Sequence, residues 1–209
     1  PDVDAICKAV IDRACVQCGV QAVCDLFSLL AAARDGSLTT PELRHLLHAV
    51  PFPGELILKD EVAPPASDGN GRGSVGGQLL SWGKWLLIRN SLYPFLKPCG
   101  VEMLHVPCVS LLQRRLSDYA AQRFNPQGVD VEIHARMGYM YRRLCDPEGG
   151  CSWRGATQER ALMALPHHFR GAAMATTVAY LFLDLGYVSA CVVMGQGRNC
   201  VGELQMCIH

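Results

Sequence analysis

Residues 34–43 read Arg-Asp-Gly-Ser-Leu-Thr-Thr-Pro-Glu-Leu and join the end of one helix to the start of the next. Gly36 can take the left-handed backbone conformation that stops a helix. Thr39 and Glu42 have the spacing of a capping box, and the proline between them fits a first helical turn, where its missing N–H loses no hydrogen bond. The stretch therefore predicts a helix that stops at the glycine and a short helix over about Pro41 to Ala49.

Helical periodicity continues on both sides of this junction. Upstream, apolar side chains recur at helical spacing over residues 3–34 with a break at Gly19, which predicts two helices. Downstream, residues 79–92 predict a helix whose two tryptophans, Trp82 and Trp85, serve packing. One core is predicted from Trp85, Leu92, Phe95, Leu26, Leu30 and Leu46. Apolar alternation on either side of Pro98-Cys99-Gly100 predicts a small β-hairpin with its turn at these residues. A long helix is predicted from about Cys108 to Phe124.

The pattern divides the chain into two predicted domains. Proline and glycine at residues 125–128 end the long helix, so we expect one domain over 1–124 and a helical domain over 125–209. Within the first, residues 51–77 are rich in proline and glycine and predict an exposed, mobile insertion. The second domain is predicted to contain four helices, near Val131–Cys145, Thr157–Phe169, Ala172–Leu185 and Val188–Cys207.

Composition excludes some classes of function. The 209 residues include 19 Lys+Arg and 19 Asp+Glu, and 50% are hydrophobic, which is typical of a globular chain. A formal net charge of zero argues against nucleic acid as a partner. Eleven cysteines, an odd number mostly within apolar patterns, predict reduced thiols and a cytoplasmic setting. Because the chain starts at Pro1 without a signal-peptide pattern, we interpret it as a piece of a longer protein.

The segment from Gly171 to Gln196 is strongly apolar and has Asp184 as its single charge. Each uncharged run beside this aspartate is shorter than the ~20 residues that cross a bilayer. Gly186 interrupts the pattern as well. We therefore predict two buried helices and no membrane span.

A cysteine pair suggests a zinc site and a glycine-rich run suggests a phosphate loop, but the surrounding sequence supports neither. Cys15 and Cys18 have the spacing of half a zinc site, but Cys24, Cys145 and Cys151 could complete it only through the tertiary fold, so packed cysteines are expected. Gly69–Gly77, which precedes a Gly-Lys pair at 83–84, looks like part of a phosphate loop. Gln78 stands where that loop needs glycine and Trp85 where it needs Ser or Thr. We predict a mobile linker there and no nucleotide hydrolysis by this chain.

His167 and His168 are adjacent in a predicted helix. Adjacent helical side chains diverge by about 100°, so we expect them not to share a metal ion and expect one ring to be packed and the other in solvent. No strand-turn-helix elbow presents a nucleophile in the sequence. We therefore expect that the chain is not an enzyme.

The order of four stretches resembles one family. Leu26–Leu47, Trp85–Leu96, Leu111–Phe124 and Arg160–Phe169 with Leu181–Leu185 are similar to the region just downstream of the NTPase core in STAND-class NTPases. The likeness is greatest to the NACHT proteins that continue into WD40 or TPR repeats. It implies a mainly α fold: a winged helix with a small β-hairpin wing, followed by an α-helical bundle that starts a helical array.

The resemblance also points to positions near a nucleotide. In many relatives a histidine at the start of the last winged-helix helix reaches the nucleotide phosphate. Here His105 precedes that predicted helix and Cys108 stands in the matching place, so the resemblance implies these two as nucleotide-sensing positions. Ala164 replaces the glutamate of the family's Glu-Leu-Pro-x-His pattern.

The sequence thus predicts a non-catalytic regulatory or scaffold region, without a cofactor, that links an NTPase module to protein-interaction repeats. Its expected partners are the upstream NTPase domain, the downstream repeats and other subunits, with docking near Val188–Cys207. One alternative is a winged-helix nucleic-acid-binding module, although the predicted recognition helix Gln78–Ser91 has only Lys84 and Arg89 for phosphate contacts. The other alternative is a Cys- or Zn-dependent enzyme.

Overall fold

The computed structural model describes residues 2–34, 36–48, 80–93, 96–100, 107–111, 114–124, 131–147, 149–151, 153 and 159–208. The chain is mainly helical, as predicted. The predicted mobile insertion at 51–77 lies outside the described residues. In chain order the elements are α1 (Val3–Cys18), α2 (Val20–Ala32), β1 (Ser37–Thr39), α3 (Thr40–Leu46), α4 (Trp82–Leu92), β2 (Leu96–Gly100), β3 (Pro107–Leu111), α5 (Arg114–Phe124), α6 (Val131–Cys145), α7 (Glu159–Gly171), α8 (Ala175–Leu183), α9 (Leu185–Val193) and α10 (Gly197–Ile208).

Two compact units make up the chain. The first contains Pro1–Phe27 and Thr39–Ala120, and the second contains Ser28–Leu38 and Ala121–His209. Residues 28–38, which the sequence interpretation assigns to the first domain, belong to the second unit. The Arg160 guanidinium donates to the carbonyl of Ser37, and His167 Nε2 lies 3.3 Å from the carbonyl oxygen of Ala32. These contacts tie the end of α2 and the following residues to α7.

The junction between α2 and α3 has the predicted local chemistry. Gly36 has a φ of +67°, in the left-handed region, which confirms the helix stop. Both hydrogen bonds of the capping box are present: Glu42 N donates to Thr39 Oγ1 at 3.3 Å, and Thr39 N donates to Glu42 Oε2 at 2.7 Å. The capping-box prediction is therefore confirmed.

In the first unit, α4 packs against α1 and buries one of its two tryptophans. Trp85 is 2% exposed, and Leu92, Leu26 and Leu46 are buried as the sequence predicted. Two other residues are predicted for the same core. Leu30 belongs to the second unit, and Phe95 lies outside the described residues.

Trp82 corrects the expectation that both tryptophans serve packing. Its side chain is exposed, and the Arg44 guanidinium lies 4.1 Å from the centre of a Trp82 ring. Arg44 also donates to the carbonyl of Leu80 at 2.7 Å, which holds the guanidinium in place. A cation stacked on an aromatic face, rather than a core contact, stabilises this indole.

The sheet has the strand order β1-β3-β2, and β2 and β3 pair antiparallel with Leu96 opposite Leu111. The predicted turn is wrong, because Pro98-Cys99-Gly100 lies within β2. Proline removes a ladder donor, but β2 is the edge strand of the described sheet and needs donors on one side only. The start of the long helix is also wrong: β3 pairing extends to Leu111, and α5 begins at Arg114.

The second unit is built on close contact between α6 and α7. A Cβ added at Gly138 would lie 2.8 Å from the Phe169 ring, so glycine permits the close approach of the two helices. The predicted single helix over Val188–Cys207 is wrong. It is divided into α9 and α10 at Gly195, whose φ of +75° breaks the helix.

Pro166 lies inside α7 and has no N–H to donate to the carbonyl of Leu162, one turn earlier. Tyr187 on α9 replaces that donor, because its hydroxyl donates to Leu162 O at 3.2 Å and its ring is fully buried. A side chain from α9 thus completes the backbone bonding of α7.

We expect Tyr187→Phe to lower the free energy of unfolding by about 1–3 kcal/mol, because it leaves a buried carbonyl without a partner. Tyr180→Phe is the matched control, since Tyr180 is exposed, and it should have little effect. In the Tyr187→Phe background, Pro166→Ala restores an amide donor and should recover part of the loss. Urea unfolding of the four proteins checks this, and equal losses for both phenylalanine variants would contradict it.

Candidate functional site

The positions that the resemblance implies for nucleotide sensing do not form a described site. His105 lies outside the described residues. Cys108 lies in β3 with its Cα opposite that of Cys99, and not at the start of a helix as predicted. Their role in nucleotide binding stays a prediction.

Cys15 and Cys18 are both buried on α1. Cys18 Sγ donates to Ser91 Oγ at 3.5 Å, and burial raises the pKa of the Cys18 thiol above its ordinary value. Neither cysteine joins a group of three potential metal ligands in the part of the chain that the structure describes. These features fit packed thiols.

Two more buried cysteines, Cys145 and Cys191, have the same character. Burial raises the pKa of both Cys145 and Cys191 to about 12, so both thiols are protonated at neutral pH. None of the described cysteines forms a disulfide. A protonated, buried thiol is a poor nucleophile and a poor metal ligand.

Helices α8, α9 and α10 leave large apolar side chains in solvent. Leu185 is 80% exposed and Val193 is 84% exposed. We call the following eight side chains the C-terminal apolar set: Tyr180, Leu183, Leu185, Val192, Val193, Val201, Leu204 and Met206. The expectation of two buried helices over 171–196 is therefore corrected, because α8 and α9 bury one face each, through Val178, Leu181, Tyr187 and Cys191.

No single helix among the described residues is long and apolar enough to cross a membrane. The α8 and α9 helices meet the criteria of length and composition only as a pair, and they are bent by 71° where they meet. Asp184 lies at the bend and caps α9, because its Oδ1 accepts from Gly186 N at 2.8 Å. Its other oxygen accepts from Trp153 Nε1 at 2.7 Å.

Three histidines converge inside the second unit. His134 comes from α6, and His167 and His168 come from α7. Each ring offers a nitrogen, and the three nitrogens lie within 4.8 Å of one another. The Nδ1 atoms of His134 and His168 are 3.1 Å apart. We call these side chains the histidine cluster.

This geometry differs from the expected divergence of His167 and His168, because a nitrogen of one ring lies within 4.8 Å of a nitrogen of the other. His168 is packed as predicted, with 0% exposure, whereas His167 is half-buried and not in solvent. Both rings lie beside a third ring, that of His134, whose centroid is 5.5 Å from that of His167 and 5.3 Å from that of His168. The neighbouring helix α6 thus adds a third ring to the histidine pair of α7.

Each ring of the histidine cluster is held by a different contact. A Cβ at Gly171 would lie 2.5 Å from His134 Nδ1, so glycine lets the end of α7 approach that ring. Tyr141 stacks on His168, with centroids 5.5 Å apart and planes inclined by 24°. Because a carbonyl oxygen only accepts, His167 Nε2 is the donor in its contact with Ala32 O, which leaves Nδ1 as the nitrogen that can act as a ligand.

His168 is neutral at physiological pH. Burial, followed by the nearby His167, His134, Arg160 and Arg34, lowers the pKa of His168 from 6.5 to about 3. Its Nε2 atom is buried and has no hydrogen-bond partner. Sequence reasoning missed His134 because no local spacing connects it to the histidine pair on another helix.

A small cavity of about 200 Å³ lies beside the cluster and is lined by Arg34, Tyr141, Arg160 and Ala164. Arg34 forms an ion pair with Glu203 at 3.4 Å, which partly balances its charge. Arg170 pairs with the same carboxylate at 2.9 Å.

Comparison of the chain with protein-family models, curated proteins and solved structures gave no match.

Proposed function

We propose that this chain is a non-catalytic, protein-binding region of a cytoplasmic signalling or assembly protein of the STAND type. In this proposal a winged helix in the first unit and the helices of the second unit link an NTPase module to protein-interaction repeats. The order of the four family-like stretches supports the class of protein. The mainly helical fold is compatible with it.

One observation supports the protein-binding role most strongly: the exposure of the C-terminal apolar set. Single exposed apolar side chains are common on protein surfaces. Here, however, both helices beside the bend carry several of them, and Leu185 and Val193 are exposed almost as fully as in an extended chain. A helical array covers such faces with its next helix, so we infer that another protein helix packs on α8 to α10.

The chemistry of the buried thiols Cys145 and Cys191 is compatible with a non-catalytic role. A cysteine nucleophile needs a lowered pKa and access to solvent. Cys145 and Cys191 are buried and have raised pKa values instead.

The test is whether the C-terminal apolar set drives protein association. In the isolated chain, a second copy can cover the exposed apolar faces of α8 to α10. We therefore expect concentration-dependent self-association in sedimentation velocity. A Leu185→Asp, Val193→Asp double variant should remain monomeric, because a charge in an apolar interface must be desolvated.

Val16→Asp is the matched control, because Val16 on α1 is also 80% exposed. It should associate like the wild-type chain, and circular dichroism should show the same helix content for all three proteins. A wild-type chain that is monomeric throughout the concentration range, or equal loss of association in the control, would contradict the proposal.

A further inference from the structure

We propose that the histidine cluster, His134, His167 and His168, binds one divalent transition-metal ion, with zinc as the preferred ion. This inference goes beyond the protein-binding role, which requires no metal. It assigns to the cluster a part in stabilising the contact between α6 and α7.

The distances suit a shared ion. Zinc binds imidazole nitrogen at 2.0–2.1 Å, so two ligands of a tetrahedral site lie roughly 3.3 Å apart. His134 Nδ1 and His168 Nδ1 are already 3.1 Å apart. The separation of up to 4.8 Å within the cluster closes through side-chain rotation, because the rings come from two helices that are already packed together.

The protonation state of His168 also suits metal binding, which requires a lone pair on each ligand. His168 is neutral because it is buried, and it loses no proton to bind. His167 shows the outer contact typical of a metal-bound histidine: its Nε2 donates to a backbone carbonyl, that of Ala32, and fixes Nδ1 as the ligand atom.

The ligand set defines the class of ion, and the nearby charges bear on the remaining ligand. Arg160 and Arg34 raise the local positive charge, and Glu203 pairs with Arg34. A ligand set of three imidazoles, with no carboxylate among them, favours zinc, cobalt, nickel or copper over magnesium or calcium. Since the cluster supplies three ligands, a water molecule or an anion completes a tetrahedral ion.

The experiment is a cobalt titration of the purified, chelator-treated chain under reducing conditions, followed by displacement with zinc. We expect one equivalent of Co²⁺ with visible d–d absorption and without the near-ultraviolet charge-transfer band that thiolate ligands produce. His134→Gln and His167→Gln should each weaken binding by more than about tenfold. His48→Gln is the matched control on an exposed histidine of the first unit and should bind like the wild-type chain.

Two further measurements keep the proposal testable if a glutamine variant fails to fold. Gly171→Ala should weaken binding without removing any ligand, because its Cβ would displace the His134 ring. In the wild-type chain, zinc should protect His134 and His167, but not His48, from modification by diethyl pyrocarbonate. Absence of cobalt binding, a thiolate charge-transfer band, or equal labelling of these histidines with and without zinc would overturn the assignment.

Discussion

Trp85→Ala is expected to lower the free energy of unfolding of the first unit by about 3–5 kcal/mol, the range for removal of a large buried aromatic side chain. The indole is 2% exposed and lies on α4, the helix that packs against α1. Its loss leaves a cavity in the core of the first unit.

Trp82→Ala is the matched control for this prediction. Trp82 stands less than one turn earlier on the same helix, is exposed, and contacts Arg44 through a cation–π interaction. It should cost about 1 kcal/mol or less. Chemical unfolding followed by circular dichroism measures both variants, and a melting curve for Trp85→Ala that matches the wild-type curve would show that this indole is not part of the core.

The second large effect is a loss of stability in acid that depends on His168. The pKa of His168 is about 3 in the folded chain and 6.5 in the unfolded chain, so the unfolded chain binds the proton more tightly. The contribution to stability is complete above pH 6.5 and is lost as the pH falls from 6.5 towards 3. By linkage, the loss is about 2 kcal/mol at pH 5 and about 3 kcal/mol at pH 4.

Urea unfolding at several pH values, with a metal chelator present, measures this dependence. His168→Gln should have a shallower pH dependence than the wild-type chain, even if it is less stable at pH 7, because the titrating group is gone. His48→Gln, on an exposed position, should keep the wild-type slope. Parallel losses of stability in His168→Gln and the wild-type chain between pH 7 and pH 4 would contradict this prediction.

Local chemistry made part of the fold predictable. The stop at Gly36 and the capping box of Thr39 and Glu42 depend on residues within one turn of each other, and both are present. The helix Val131–Cys145 was predicted with the bounds that the structure has, because its apolar period is unbroken between clear stops. The winged-helix assignment and the STAND resemblance remain predictions.

Partners distant in sequence explain the errors. Whether Pro98 lies in a turn or a strand depends on pairing with Val109, which no local pattern encodes. The histidine cluster joins residues 34 positions apart, and only the packing of α6 on α7 brings them together. Gly195 differs from these cases, since a glycine near a helix end is a local stop signal, and greater weight on it would have divided the last predicted helix correctly.

The proposed protein-binding role depends on what covers α8 to α10, and site-specific photo-crosslinking measures that directly. A benzophenone amino acid at Val193 should form intermolecular adducts of the purified chain that mass spectrometry maps to α8, α9 or α10 of the second copy. The same probe at Val16, which is equally accessible, should form few adducts. Adducts that are equally frequent from both positions, or none from Val193 at concentrations where the chain associates, would contradict the claim that these helices are a protein-binding surface.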